Sequence, residues 1–256
     1  MLRNSQRIHF DGPRGKLAGI LEFPNSDVRG WILFSHCFTC NKDIKAIVRI
    51  SRGLSDRGWG VLRYDFSGLG GSEGVFAETN FTTNCEDLVA ANEYLARNNT
   101  PARFLFGLSF GGAASLAMAE KLPNILGVIA LAAPSDTQHL AELLVRMDPA
   151  IDATGVGEVT IGGQTLPIKR QMIEDFRAWD LRGTVQQLKK PALVFHSPDD
   201  ETVSFRHARI NAGYDESSPL PRTLIPLIGS NHLLTKNERD IPMVVGIVDA
   251  WCSRWL

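Results

Sequence analysis

The chain has 256 residues, 44% of them hydrophobic, and its 27 basic side chains are balanced by 28 acidic ones. That balance, without a basic stripe, argues against nucleic acid or a membrane as partner, and no apolar run approaches the roughly eighteen residues of a membrane span. Four cysteines form no disulfide framework at this length and the polar start Met1-Leu2-Arg3-Asn4-Ser5-Gln6-Arg7 lacks a signal peptide's apolar core, so one soluble, cytoplasmic domain over 1–256 is expected.

Residues 7–10 and 16–23, around Gly12-Pro13-Arg14-Gly15, read as an antiparallel hairpin at a sheet edge. Short apolar runs follow at 31–34, 61–66, 104–108, 128–132, 192–195 and 223–228. Between them, 43–54 sets Ile44, Ile47, Val48 and Leu54 near one helical face. The segment 83–95 opens with a Thr83-x-x-Glu86 capping box and buries Leu88, Val89 and Leu95. Apolar strands alternating with helices predict an α/β fold with a mostly parallel sheet covered on both faces. Pro226 removes a ladder donor from the last run, which places that strand near an edge.

The alternation stops at about 135–190, where helices over 141–146 and 171–179 flank a hairpin around Gly162-Gly163. An insertion leaving the sheet after the fourth parallel strand hangs over the strands' carboxyl ends, where α/β proteins bind ligands. It reads as a small cap over a substrate pocket, with Phe38, Phe110, Met172 and Phe176 as candidate wall residues.

The heptapeptide Phe106-Gly107-Leu108-Ser109-Phe110-Gly111-Gly112 carries the chemistry. A Gly-x-Ser-x-Gly turn between an apolar strand and a small-residue helix is the setting of a nucleophile elbow, where side chains at the flanking glycines would clash. Serine is a poor nucleophile unless a histidine takes its proton and a carboxylate orients that histidine. On such elbows the order along the chain is serine, acid, histidine. His207 and His232 both fit that order, but His207 falls inside a helix after Ser204 without the freedom to point across the sheet, whereas His232 lies in the loop Gly229-Ser230-Asn231-His232 past the last strand and can reach over Ser109. Asp199, Asp200 and Glu201 all follow the strand at 192–195. Only one of the three can point at His232, with Asp136 after the preceding strand as the alternative acid. The oxyanion hole needs two backbone amides: that of Phe110, next after the nucleophile, and one from the loop Ser35-His36-Cys37-Phe38-Thr39-Cys40, for which Phe38 is selected.

Together these segments resemble the serine α/β-hydrolase superfamily. The matching pieces are His36-Cys37-Phe38 for its oxyanion loop, Asp65-Phe66-Ser67-Gly68-Leu69-Gly70-Gly71-Ser72 for its glycine-rich turn, Gly107 to Gly111 for the elbow, Asp200-Glu201-Thr202-Val203 for the acid and Gly229 to His232 for the histidine loop. More narrowly, His36-Cys37-Phe38-Thr39-Cys40-Asn41-Lys42-Asp43 is similar to bacterial hydrolases often fused to an OsmC-type domain, here as a stand-alone member. Cys37 departs from the glycine usual after the histidine, and Leu108 from the histidine common before the nucleophile. The resemblance implies an α/β-hydrolase fold with an antiparallel N-terminal hairpin, and a carboxylesterase acting on short to medium acyl chains.

Two motifs imitate other chemistries. Cys37-x-x-Cys40 has redox-motif spacing but does not open a thioredoxin-like unit, and Cys85 and Cys252 are too scattered to complete a zinc site. Gly68-Leu69-Gly70-Gly71-Ser72-Glu73 imitates a dinucleotide loop, with a carboxylate where the third glycine belongs. No metal or cofactor is implied, and the expected partner is a small ester, with the protein a monomer or homodimer. Acyl transfer, perhydrolysis or thioester cleavage on the same three residues, or ligand binding without catalysis, are the competing readings.

Overall fold

The antiparallel hairpin opens the structure: β1 (Asn4–Gly12) pairs with β2 (Gly15–Phe23) from Asn4 opposite Phe23 to Gly12 opposite Gly15. The computed structural model describes residues 4–214 and 221–256, so residues 1–3 of the polar N-terminal stretch lie outside it. β2 runs antiparallel to β4 (Gly60–Tyr64). Parallel pairing then carries the sheet through β3 (Trp31–Ser35), β5 (Ala102–Leu108), β6 (Gly127–Leu131), β9 (Ala192–His196) and β10 (Arg222–Pro226). The resulting order is β1-β2-β4-β3-β5-β6-β9-β10, with β10 and its terminal Pro226 at the far edge.

Alternation along the central strands divides the core into two layers. Ile32, Phe34, Phe104, Phe106 and Ile129 point to the side covered by α1 (Lys45–Ser55) and α9 (Asp240–Trp255), where they meet Ile47, Ile50, Val244 and Val248. Leu33, Leu62, Leu105 and Val128 point to the side of α2 (Phe81–Asn98) and α3 (Phe110–Ala119). Every residue of α3 is buried, which its run of Gly, Ala and Ser permits, because small side chains let a helix lie close to a sheet. A shorter helix, α8 (Phe205–Asn211), covers β9 near the edge, through Ala208 and Val194.

The insertion contains α4 (Gln138–Met147), α5 (Ala150–Thr154), the separate hairpin β7 (Val156–Ile161) and β8 (Gln164–Lys169), then α6 (Arg170–Ala178) and α7 (Leu181–Gln186). Its hairpin turns at Gly162 and Gly163, both with positive φ, as the paired glycines predict. The helix start at residue 83 is a correction. α2 begins two residues earlier, capped by Asn80, whose Oδ1 accepts from the Thr83 amide at 2.9 Å while Thr83 Oγ1 accepts from the Asn80 amide at 2.8 Å. Asparagine is as good a cap as threonine, so two overlapping signals competed and the earlier one won. No described helix is long and apolar enough to cross a membrane.

Candidate active site

Register sets the site. Leu108 pairs with Leu131, Leu131 with Phe195, and His196 with Pro226, so β5, β6, β9 and β10 end along one rim. The loops that follow β5, β9 and β10 carry Ser109, Asp200 and His232.

Ser109 joins β5 directly to α3 with φ 53° and ψ −120°, in the positive-φ region that side chains rarely adopt. Its amide donates to Leu131 O at 2.8 Å, which ties the turn to the neighbouring strand. A Cβ on Gly107 would lie 2.2 Å from Gly111 O, and one on Gly111 would lie 2.3 Å from His36 O. Both glycines are therefore steric necessities of the strained turn. The Ser109 side chain does not cap its own helix, and among the described residues its hydroxyl has no hydrogen-bond partner.

Asp200 Oδ2 lies 2.8 Å from His232 Nδ1, and its Oδ1 accepts from the amides of Thr202 at 2.8 Å and Val203 at 2.9 Å. Burial alone would raise the Asp200 pKa; the hydrogen bond and charge of His232, with those two amides, outweigh it and hold the group below the ordinary carboxylate range. Bonding at Nδ1 leaves Nε2 as the His232 nitrogen without a partner among the described residues. No hydrogen bond joins it to Ser109 Oγ there; such links commonly tighten only when substrate is in place. The two loops are stitched together by partners that sequence reasoning missed. Ser197 Oγ donates to Ser230 O at 2.8 Å, and Asp199 Oδ2 accepts from the Gly229 amide at 2.9 Å. Buried His196 donates from Nε2 to Val203 O at 2.7 Å, 3.4 Å from Asp200 Oδ2. Only the density of polar residues in 196–201 and 229–232 hinted at such a lacing.

Asp136 is engaged elsewhere. Its Oδ1 meets His139 Nδ1 at 2.9 Å and accepts the His139 amide at 3.0 Å, and the His139 hydrogen bond lowers its pKa. With His207 these residues bring three possible metal-ligand atoms within 4.8 Å of one another. His207 Nδ1 already accepts from the Ser135 amide at 3.1 Å, so the group satisfies itself internally.

Across the rim, the loop after β3 begins with His36, which is fully buried. The Phe66 amide donates to its Nε2 at 3.0 Å, which makes Nδ1 the protonated nitrogen, donating to Cys37 O at 2.8 Å. Burial pushes the imidazole pKa down to about 4, so this tautomer is neutral. Cys37 and Cys40 are joined by a disulfide, although the sequence context argues against a redox motif there, while Cys85 and Cys252 are buried free thiols. Among the described residues neither the Phe38 amide nor the Phe110 amide donates to a protein acceptor.

The candidate wall residues are packed rather than open. The Phe38 ring lies 5.5 Å from Phe110 and 6.1 Å from Phe176, and Phe110 lies 5.1 Å from Phe176. Phe38 is half-buried, but Met172 and Phe176 have no exposed surface. This corrects their reading as free pocket wall: the amphipathic α6 turns its apolar face wholly into the core. Glu73, the residue that spoils the dinucleotide pattern, accepts from the Lys16 amide at 2.8 Å and so braces the N-terminal hairpin.

Known proteins agree with this architecture. The esterase domain of a Rhodothermus marinus protein superposes with a TM-score of 0.77 at 35% identity, covering 98% of this chain and 99% of that one. Est1E from Butyrivibrio proteoclasticus, solved with ferulic acid bound, shares the fold at a TM-score of 0.82 with 19% identity, over 97% of this chain and 98% of that one. An uncharacterized protein of Rickettsia prowazekii is 31% identical over 139 residues, 52% of this chain and 57% of that relative, so the chain matches little more than half of its length. The serine aminopeptidase S33 family model matches residues 26–160, which include the loop after β3 and the whole elbow, and the chain belongs to that family of α/β hydrolases.

Proposed function

We propose that this hydrolase cleaves carboxylic esters of short to medium acyl length through an acyl-enzyme on Ser109. The observation that carries the reading is the 2.8 Å Asp200–His232 pair, on loops laced to each other beside a strained elbow whose serine hydroxyl has no partner among the described residues. The 35% identity to an esterase domain supports an ester as the acyl donor.

His232 Nε2 takes the Ser109 proton as Oγ attacks the ester carbonyl, and the Phe38 and Phe110 amides hold the resulting oxyanion. Each such donor is worth about 10²–10³ in kcat. His232 then protonates the departing alkoxide, while the Asp200 carboxylate keeps the ring oriented and balances its charge. Water, deprotonated by the same nitrogen, hydrolyses the acyl-enzyme. A p-nitrophenyl butyrate assay is expected to show a burst equal to the enzyme concentration, with Ser109→Ala reducing turnover by about 10³-fold or more. Equal slow hydrolysis by both proteins would leave a ligand-binding role instead, and product captured by added alcohol, peroxide or thiol would shift the reading to acyl transfer.

A further inference from the structure

The bridge between Cys37 and Cys40 closes the turn that carries Phe38, and the mechanism above makes no use of it. The same turn is closed by a second tie, the Cys40 amide donating to Cys37 O at 3.0 Å. Inside it Thr39 holds φ 61°, a conformation a threonine leaves unless the surroundings fix it. Among the described residues the Phe38 amide between these constraints has no protein acceptor, an arrangement that lasts only if the turn cannot rotate to find one. Cys37 O is also pinned by His36, and past Cys40 the chain is held again at Lys42, whose amide donates to Asp65 Oδ1 at 2.6 Å, so among the described residues the disulfide and the turn bond are what close the turn between these anchors. Loss of the bridge therefore leaves a single hydrogen bond to close the turn and keep Thr39 in place.

We infer that the Cys37–Cys40 disulfide positions the Phe38 amide in the oxyanion hole, so that dithiol reductants turn the enzyme down and disulfide oxidants restore it. The inference rests on the ester-hydrolase reading. Both cysteines are positioning residues, since neither touches the reacting atoms. Cys37 is 4% exposed and Cys40 is half-buried, so the reductant's thiolate attacks the Cys40 sulfur. The S–S bond breaks, and Cys37 leaves as a thiolate and takes a proton. The reductant's second thiol then displaces Cys40 and closes the reductant into its own disulfide, so two electrons and two protons pass to the protein. Burial pushes the Cys85 and Cys252 thiols well up, which keeps both out of this exchange.

The test uses the purified wild-type chain in buffers of reduced and oxidised dithiothreitol. Thiols are counted by alkylation and mass spectrometry, and kcat and KM for p-nitrophenyl butyrate are measured at each ratio. Full reduction is expected to lower kcat at least tenfold with KM within about threefold, to weaken a trifluoromethyl ketone inhibitor in parallel, and to reverse on oxidation. Cys40→Ser is expected to show the reduced enzyme's kcat and no response to dithiol. An unchanged kcat in protein shown to be fully reduced, or a Cys40→Ser variant still sensitive to dithiol, overturns the inference. Absence of Ser109-dependent turnover in the oxidised protein would instead overturn the ester reading on which it stands.

Discussion

A side chain on Gly111 would meet two carbonyl oxygens at once, Ser35 O at 2.4 Å and His36 O at 2.3 Å. The first turn of α3 thus rests on the backbone at the end of β3, and that contact brings the Phe110 amide beside the loop of Phe38. Gly111→Ala must push the two apart, because the atoms that an added Cβ meets are backbone rather than the end of a flexible side chain. The variant is expected to lose about 2 kcal/mol or more in urea unfolding and at least about 10²-fold in p-nitrophenyl butyrate turnover, the worth of one oxyanion donor. Gly246 is the control. It lies inside α9 with nothing within 4 Å of an added Cβ, so Gly246→Ala is expected to gain about 0.5–1 kcal/mol with activity unchanged. Equal effects of the two substitutions would refute the steric account of the elbow.

The cap is held by polar groups of α6 lying on the entry to α2. Asp175 Oδ1 accepts the Phe81 amide at 2.9 Å and the Thr82 amide at 3.2 Å, two donors that α2 cannot satisfy itself. The carboxylate also sits at the positive end of that helix. One turn earlier Gln171 donates to Ala77 O at 3.0 Å and Thr79 O at 2.9 Å and accepts from Asn80 Nδ2 at 2.8 Å. Asp175→Ala is expected to cost about 1–2 kcal/mol in a thermal or urea melt and to change KM for p-nitrophenyl octanoate on the order of tenfold more than for the acetate; a uniform change across both esters would exclude a cap effect. This docking was invisible in the sequence, because the pattern over 171–179 shows a helix but not what its polar residues Gln171 and Asp175 will face. The central strands were legible because runs such as 104–108 are apolar on both faces and too short for a helix. The short α5 and α7 were not, since five or six residues give no helical period to read. Of the candidate site, the elbow and the histidine loop could be read from motifs, whereas the Cys37–Cys40 bond and the tautomer of His36 depend on distances that no spacing encodes.

At the scale of the whole molecule, two buried groups beneath this rim titrate in opposite senses. His36 has its pKa lowered from 6.5 to about 4 by burial, only partly offset by its bond to Cys37 O. Asp87 accepts from the Ser67 amide at 2.7 Å and hydroxyl at 2.8 Å, yet burial raises its pKa from 3.8 to about 7. Between pH 4 and 6.5 the unfolded chain protonates His36 while the folded one does not, so the His36 contribution is complete above 6.5 and is lost as pH falls toward 4. Across much the same range the folded chain protonates Asp87 while the unfolded one does not, so that contribution is complete near pH 4 and is lost as pH rises toward 7. At about 1.4 kcal/mol per pH unit each slope is steep, and together they flatten the stability curve. Asp87→Asn removes one slope: its stability relative to wild type should fall on acidification from pH 6.5 to 4.5 by about 2–3 kcal/mol, read from urea unfolding at both values. His36→Asn, which keeps a donor for Cys37 O, should shift in the opposite direction by a similar amount. Parallel pH profiles for wild type and both variants would show that neither group is shifted, and with that the account of His36 as a buried neutral imidazole in the loop of Phe38 would fail.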